Sequence, residues 1–172
     1  MFNRVRYDAH YREHYRRVRG LCAYLLGTEQ DADDAAQEVF ARGLKAFAKF
    51  RRGDDFTPWI NTIARNHCVD RLRDRQRWAR ILSEATDADD LEDPAESPVG
   101  RLISAHTATA VEQALRSLPD PYRLSLVLAY YGDASYDDIA ETLETTRNHV
   151  GVLLLRAKQR LRSALESQEA IA

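Results

Sequence analysis

FTPWINTIARNHCVDRLRDRQRWAR, residues 56–80, is the stretch on which the reading of the whole chain turns. Thr57 is suited to cap a helix, and Pro58 to its first turn, where a missing N–H costs nothing. Trp59, Ile60, Ile63, Ala64, Cys68, Val69 and Leu72 then recur at helical spacing and form one apolar face. Arg65, Asn66, Arg71, Arg73, Arg75, Arg77 and Arg80 lie on or beyond the other face, with Asp70 and Asp74 among them. Six arginines within sixteen residues, beside amide and aromatic side chains, describe either a nucleic-acid surface or a solvated amphipathic helix. On this segment alone the two readings stand level.

Composition narrows the fold. With seven Gly and five Pro among 172 residues and few β-branched side chains, long uninterrupted helices are expected and the chain reads as all-α. Hydrophobic residues at 44% and charged residues at 30% describe a folded globular chain, not a disordered one. No apolar run approaches the length of a membrane span, and the first twenty residues lack the apolar core of a signal peptide, so a cytoplasmic location without membrane insertion is expected.

The net charge of −2 conceals a marked asymmetry. Residues 1–82 carry 17 Lys/Arg against 11 Asp/Glu, residues 83–100 carry seven acids and no base, and residues 101–172 carry eight bases against nine acids. A basic front half joined to an acidic connector suits a polyanion partner for the first and a linker role for the second. Residues 83–100, SEATDADDLEDPAESPVG, hold almost nothing large and apolar, so they cannot bury enough surface to offset their ordering entropy. The chain therefore divides into residues 1–82, an acidic linker 83–104, and residues 105–172. Cys22 and Cys68 show no CxxC and no His at zinc-like spacing; they read as structural thiols, with no metal or cofactor expected.

Helical periodicity places a first helix over residues 4–26, stopped by Gly27. Thr28 and Asp31 resemble a capping box for a second, in which Ala36, Val39, Phe40, Gly43, Leu44, Phe47 and Phe50 form a core stripe. Arg51-Arg52-Gly53-Asp54-Asp55 is a polar turn, and the third helix runs from Thr57 to about Ile81. Beyond the linker, residues 102–118 form one helix and residues 122–131 another, with Leu124, Leu126, Val127, Leu128 and Tyr130 as its inner positions. Ser135 with Asp138 gives a second capping box before a short apolar helix; Glu144 to Thr146 turn the chain into a final helix from Arg147 to about Leu165.

A short helix, a tight turn and a longer helix on a preceding helix pair describe either a helix-turn-helix unit or an ordinary helical hairpin. In the former, Thr146, Arg147, Asn148, His149 and Gly151 face the major groove, where Arg and Asn suit guanine and adenine edges. Arg156, Lys158, Arg160 and Arg162 lie further along, suited to phosphates or solvent.

Three motifs in register resemble one family. Ala32, Asp34, Gln37, Glu38, Val39 and Phe40 match an acidic A-x-D followed by QEVF. Trp59, Ile63, Ala64, Asn66, Asp70 and Arg73 match W-x3-IA-x-N-x3-D-x2-R. Leu118, Pro119, Tyr122, Arg123, Ile139, Ala140, Val150, Arg156 and Ala157 match a leucine-proline, tyrosine-arginine, helix-turn-helix and RA signature. Together they resemble an extracytoplasmic-function (ECF, group IV) sigma factor of the sigma-70 family, over about residues 10–165.

The resemblance implies two small helical domains, a region 2 bundle and a region 4 helix-turn-helix, joined by the acidic linker. It implies core RNA polymerase (clamp and flap) and promoter DNA as partners, with an anti-sigma factor a further possible one. Asp34, Gln37 and Glu38 would meet the polymerase clamp. Arg51, Arg52, Phe56, Ile63, Arg65, Asn66 and Arg73 would melt and read the −10 element, since an unstacked base needs an aromatic or apolar wall, polar groups and nearby cations. Trp59, on the apolar stripe, is expected in the core. Thr146, Arg147, Asn148, His149 and Arg156 would serve the −35 element. One departure stands out: family members often carry a small residue in the turn, where this chain has Glu144, and cations early in the recognition helix, where it has His149-Val150-Gly151-Val152-Leu153. Readout is then expected to rest on Arg147, Asn148 and His149, with a packing role for His149 as the alternative.

The competing function is a stand-alone helix-turn-helix transcriptional regulator, against which the basic front half stands. An enzyme is not expected: Asp31, Asp33, Asp34, Asp54 and Asp55 are explained by helix-dipole complementation and turn formation, and no His or Glu base is suitably placed.

Overall fold

The helical pattern is met throughout the computed structural model, which describes residues 2–51, 53–73, 107–132 and 134–170. Among these residues are seven α-helices and no strand: α1 (Phe2–Leu26), α2 (Ala32–Ala46) running into a single 3-10 turn (Phe47–Lys49), α3 (Phe56–Arg73), α4 (Ala108–Ser117), α5 (Asp120–Tyr130), α6 (Tyr136–Leu143) and α7 (Arg147–Glu169). The expected acidic linker, the arginines at 75, 77 and 80, and Arg52 lie outside the described residues.

The first three helices pack mutually. Their crossing depends on Gly43 of α2, because a Cβ there would fall 2.5 Å from the Tyr7 hydroxyl and 3.0 Å from Ile60 Cδ1. With that space free, Tyr7 reaches across to donate to the Phe40 carbonyl and stands edge-on to Phe40, Phe47 and Phe56. Burial and loss of solvation hold the Tyr7 phenol well above its ordinary pKa. In the second half, α7 is the spine against which α4, α5 and α6 lie, with Val150, Leu153, Leu154, Ala157, Leu161 and Leu165 fully or almost fully buried along it.

Local signals were met unevenly. Ser135 and Asp138 form the expected capping box at α6, and the Ser135 hydrogen bonds hold the Asp138 carboxyl below its usual range. Thr28 and Asp31 do not form one: Thr28 Oγ1 donates to Asp31 Oδ2 at 3.0 Å, and no side chain caps α2. At α3 the helix begins at Phe56, so Thr57 lies inside it, and Asp55 Oδ1 accepts the Thr57 N–H at 2.9 Å. Two residues placed inside by periodicity face outward, Leu44 and Tyr130, each 43% exposed. Both sit at the last turn of a helix, where the neighbouring element no longer covers the stripe.

The two halves also touch, which nothing in the sequence requires. α1 packs on α5, and α3 on α6. Arg123, 3% exposed, sends Nε and Nη2 to the Leu25 carbonyl at 3.3 and 3.2 Å, Nη1 to the Leu118 carbonyl at 3.0 Å, and Nη2 to Asp120 Oδ1 at 2.6 Å. It thereby satisfies a carbonyl left open at the end of α1. Gly27 is left-handed (φ 75°), and a Cβ there would meet Arg123 Cζ at 2.8 Å, so this glycine both ends α1 and admits the guanidinium. Around this point Arg116 binds Glu29 at 3.0 Å, Glu29 binds Arg19 at 2.8 Å, and Arg19 binds Asp33 at 2.7 Å.

Candidate nucleic-acid interface

Helical spacing puts Asp34, Gln37 and Glu38 side by side on the outer face of α2, all exposed, while Ala35, Ala36, Val39 and Phe40 turn inward. Glu38 is paired with Arg42 one turn on, at 2.8 Å, and that hydrogen bond holds its carboxyl below the usual range. Exposed Leu44 extends the same side of the helix, adding an apolar element that periodicity had assigned to the core.

The face of α3 is arranged differently from the expectation. Phe56 is buried, 3% exposed, with His10 stacked flat on it at 4.2 Å and Phe47, Phe50 and Trp59 packed around it. Its ring offers no open face to a base, because the helix starts at Phe56 itself and turns that residue inward. Trp59 and Ile63 are the partly buried apolar side chains beside it; Trp59 packs on Phe47, Phe50 and Phe56, as expected of a core residue, and keeps an edge at the surface. Arg51 and Asn66 are exposed; Arg65 and Arg73 are half-buried. The alternation follows from the 3.6-residue repeat: Ala64, His67 and Cys68 face the core, and loss of solvation keeps the His67 imidazole less basic than usual. On α1, the donor atoms of His10, Glu13 and His14 lie within 4.8 Å of one another, a grouping the sequence had not suggested. The His10 ring face is committed to Phe56, so the imidazoles serve this aromatic wall.

At the far end of α3 the two halves share a hollow lined by Thr62, Arg65, Asn66, Val69, Asp70 and Arg73 from α3 and by Glu141 and Thr142 from α6. Arg73 Nη2 donates to the Thr142 carbonyl at 2.8 Å, and Nη1 lies 3.1 Å from Glu144 Oε1 and 3.3 Å from Asp70 Oδ1.

The second candidate surface is the start of α7. Thr146 caps the helix, its hydroxyl accepting the His149 N–H, and Thr146, Arg147 and Asn148 are exposed. Arg147 lies back on α6, 2.8 Å from Asp137 and over the Tyr136 ring. His149 is half-buried, with Nδ1 at 2.9 Å from Thr145 Oγ1. Arg156 stands nine residues on, about 13 Å along the axis, in a separate recess beside Pro119, Tyr122 and Arg160. A Cβ on Gly151 would meet nothing within 4 Å, so this glycine is not needed for packing and leaves the helix backbone open to close approach.

Comparison with known proteins places both halves in one family. Residues 10–78 match the Sigma-70 region 2 family and residues 108–161 the Sigma-70, region 4 family. The ECF RNA polymerase sigma factor SigM of Mycobacterium tuberculosis (strain H37Rv) is 31% identical over 160 residues, covering 92% of this chain and 76% of that protein. The chain belongs to the ECF RNA polymerase sigma factors.

Other relatives agree. SigW of Bacillus subtilis (strain 168) is 28% identical, with 84% of this chain and 81% of the relative covered. SigE of Mycolicibacterium smegmatis is 32% identical, and the chain spans 61% of its length. The fold is also that of a solved structure of the sigma factor RpoE in complex with the anti-sigma factor NepR from Bartonella quintana (TM-score 0.61, 18% identity, 92% of this chain and 96% of that one). In this sigma factor, the match to region 2 covers most of α1 together with α2 and α3, and the match to region 4 covers α4 to most of α7. No helix among the described residues is long and apolar enough to cross a membrane.

Proposed function

We propose that this sigma factor directs core RNA polymerase to its promoters, using the outer face of α2 to bind core, the outer face of α3 to melt and read the −10 element, and the start of α7 to read the −35 element. The single observation that carries the reading is the surface sorting of α3. Arg51, Asn66 and the flanking cations lie outside a buried aromatic wall whose accessible edge is Trp59 and Ile63. That combination of amide, cations and half-open apolar edge suits an unstacked base held against a polyanion. The chain works as an initiation factor, without catalysis of its own, where the polymerase is, in the cytoplasm.

Transcription from a panel of −10 variants tests the α3 assignment. Asn66→Ala is expected to alter the order of preference among them by about 1 kcal/mol or more at one position, with affinity for core unchanged. An equal loss on every variant would sink the assignment. For α2, Asp34→Arg is expected to weaken core binding about tenfold, measured by fluorescence anisotropy of labelled chain; unchanged affinity would remove Asp34 from the contact. On α7, Gly151→Ala is expected to raise the helix's stability by about 0.8–1.0 kcal/mol, seen as a higher melting temperature, while lowering holoenzyme affinity for the −35 duplex. Stabilisation with undiminished affinity would show that the backbone does not approach DNA at this point.

A further inference from the structure

We propose that His10, Glu13 and His14, together on one side of α1, form a binding site for a divalent transition-metal ion of the Zn2+ class. The site goes beyond the promoter-reading role, with which it shares only the aromatic wall around Phe56.

Helix geometry brings the three residues together. His10 and His14 are one turn apart, so their rings stand one above the other, with centroids 6.0 Å apart and planes inclined by 26°. The order His-x-x-Glu-His is one that helical zinc sites use, with a carboxylate just before the second imidazole. Donor atoms from the three residues, one from each, fall within 4.8 Å of one another. Glu13 Oε2 is already 3.6 Å from His14 Nε2. Ligands around a tetrahedral zinc stand about 3.4 Å apart, since each bond is about 2.0–2.2 Å. Small rotations of the Glu13 and His14 side chains close the remaining gap, and Glu13, 70% exposed, has the room to make them.

Packing explains only part of this cluster. The face of His10 lies flat on Phe56 at 4.2 Å, and His14 tilts against the same ring at 5.1 Å. A hydrocarbon ring would serve either contact as well. The nitrogens are what packing does not use: among the described residues, no hydrogen bond takes up a nitrogen of either imidazole. A nitrogen lone pair lies in the plane of its ring, so His10 keeps its face on Phe56 while offering an edge to an ion. Held by that stack, His10 is oriented before the ion arrives, a part that an outer hydrogen bond often plays in metal sites. Two imidazoles and a carboxylate suit Zn2+ and its neighbours, whereas Mg2+ and Ca2+ favour oxygen ligands throughout. Three protein ligands also leave a fourth position for water. The buried thiol of Cys22 is no part of the set, lying eight residues beyond His14, about 12 Å along the helix axis.

Calorimetric titration of the full chain with ZnCl2, its thiols kept reduced, tests the site. A single Zn2+ per chain is expected, undisturbed by a large excess of Mg2+. Glu13→Gln, at an exposed position, is expected to lower the affinity about tenfold, and His14→Gln about a hundredfold. His10→Phe keeps a flat ring on Phe56 and removes the ligand, so it is expected to match His14→Gln while the chain stays folded. Zn2+ should raise the melting temperature of the parent and not that of His14→Gln. Co2+ reads the donors directly: d–d bands of a four-coordinate nitrogen and oxygen set are expected, without thiolate charge transfer in the near ultraviolet. No uptake, uptake unchanged in the His10 and His14 variants, a thiolate band, or displacement by Mg2+ would each overturn the site. Unchanged affinity in Glu13→Gln would overturn the three-ligand set.

Discussion

Arg123→Ala is expected to lower the free energy of unfolding by about 3–5 kcal/mol, the largest loss from any single substitution of a polar residue here. The guanidinium is 3% exposed and is shared among the Leu25 carbonyl, the Leu118 carbonyl and Asp120. Truncation leaves these acceptors short of a donor at a place where water does not replace one, and the cost of a buried unmade bond exceeds the modest net gain of a made one. Because Leu25 belongs to α1 and Arg123 to α5, the loss also loosens the two halves. Arg123→Lys is expected to recover little of it, since an ammonium cannot fork to three acceptors set by a planar group. Urea denaturation measures the effect; a loss under 1 kcal/mol would mean that the fork does not join the halves.

Phe56→Ala comes next, with an expected loss of about 3–5 kcal/mol from the removed ring and the cavity it leaves. Phe56 is the hub of an aromatic cluster in which His10, His14, Phe47, Phe50, Tyr7 and Trp59 all meet its ring, and such edge and stacked contacts add to simple burial. Thermal denaturation followed beside promoter melting separates this from the role expected from sequence. A variant that stays as stable as the parent while failing to open promoters would restore Phe56 as a base-stacking wall.

Much of this molecule could be read from residue order. The periodic stripes in α2, α3 and α7 gave the helices, Gly27 gave the end of α1, and the Ser135–Asp138 pair gave the start of α6, because each is a short-range consequence of backbone geometry. Asp34, Gln37 and Glu38 came from the family resemblance, and the helical repeat then sets them together on the outer face of α2. What failed was the fate of residues at helix ends. Phe56 went from expected wall to core because α3 starts at Phe56, and Leu44 and Tyr130 surfaced where a neighbouring helix stops short. The junction of the two halves was beyond reach. Arg123 reads as part of a family signature and Glu144 as an oddity in a turn; only the approach of Leu25 to one and Arg73 to the other shows what each side chain meets.

The most direct test of the central claim is run-off transcription by core RNA polymerase, with and without this chain, on candidate promoters. Specific transcripts are expected to depend on the chain, and the chain alone is expected to hold the same duplex promoters poorly. Tight binding to promoter fragments without polymerase, with no transcript added when polymerase is present, would contradict it.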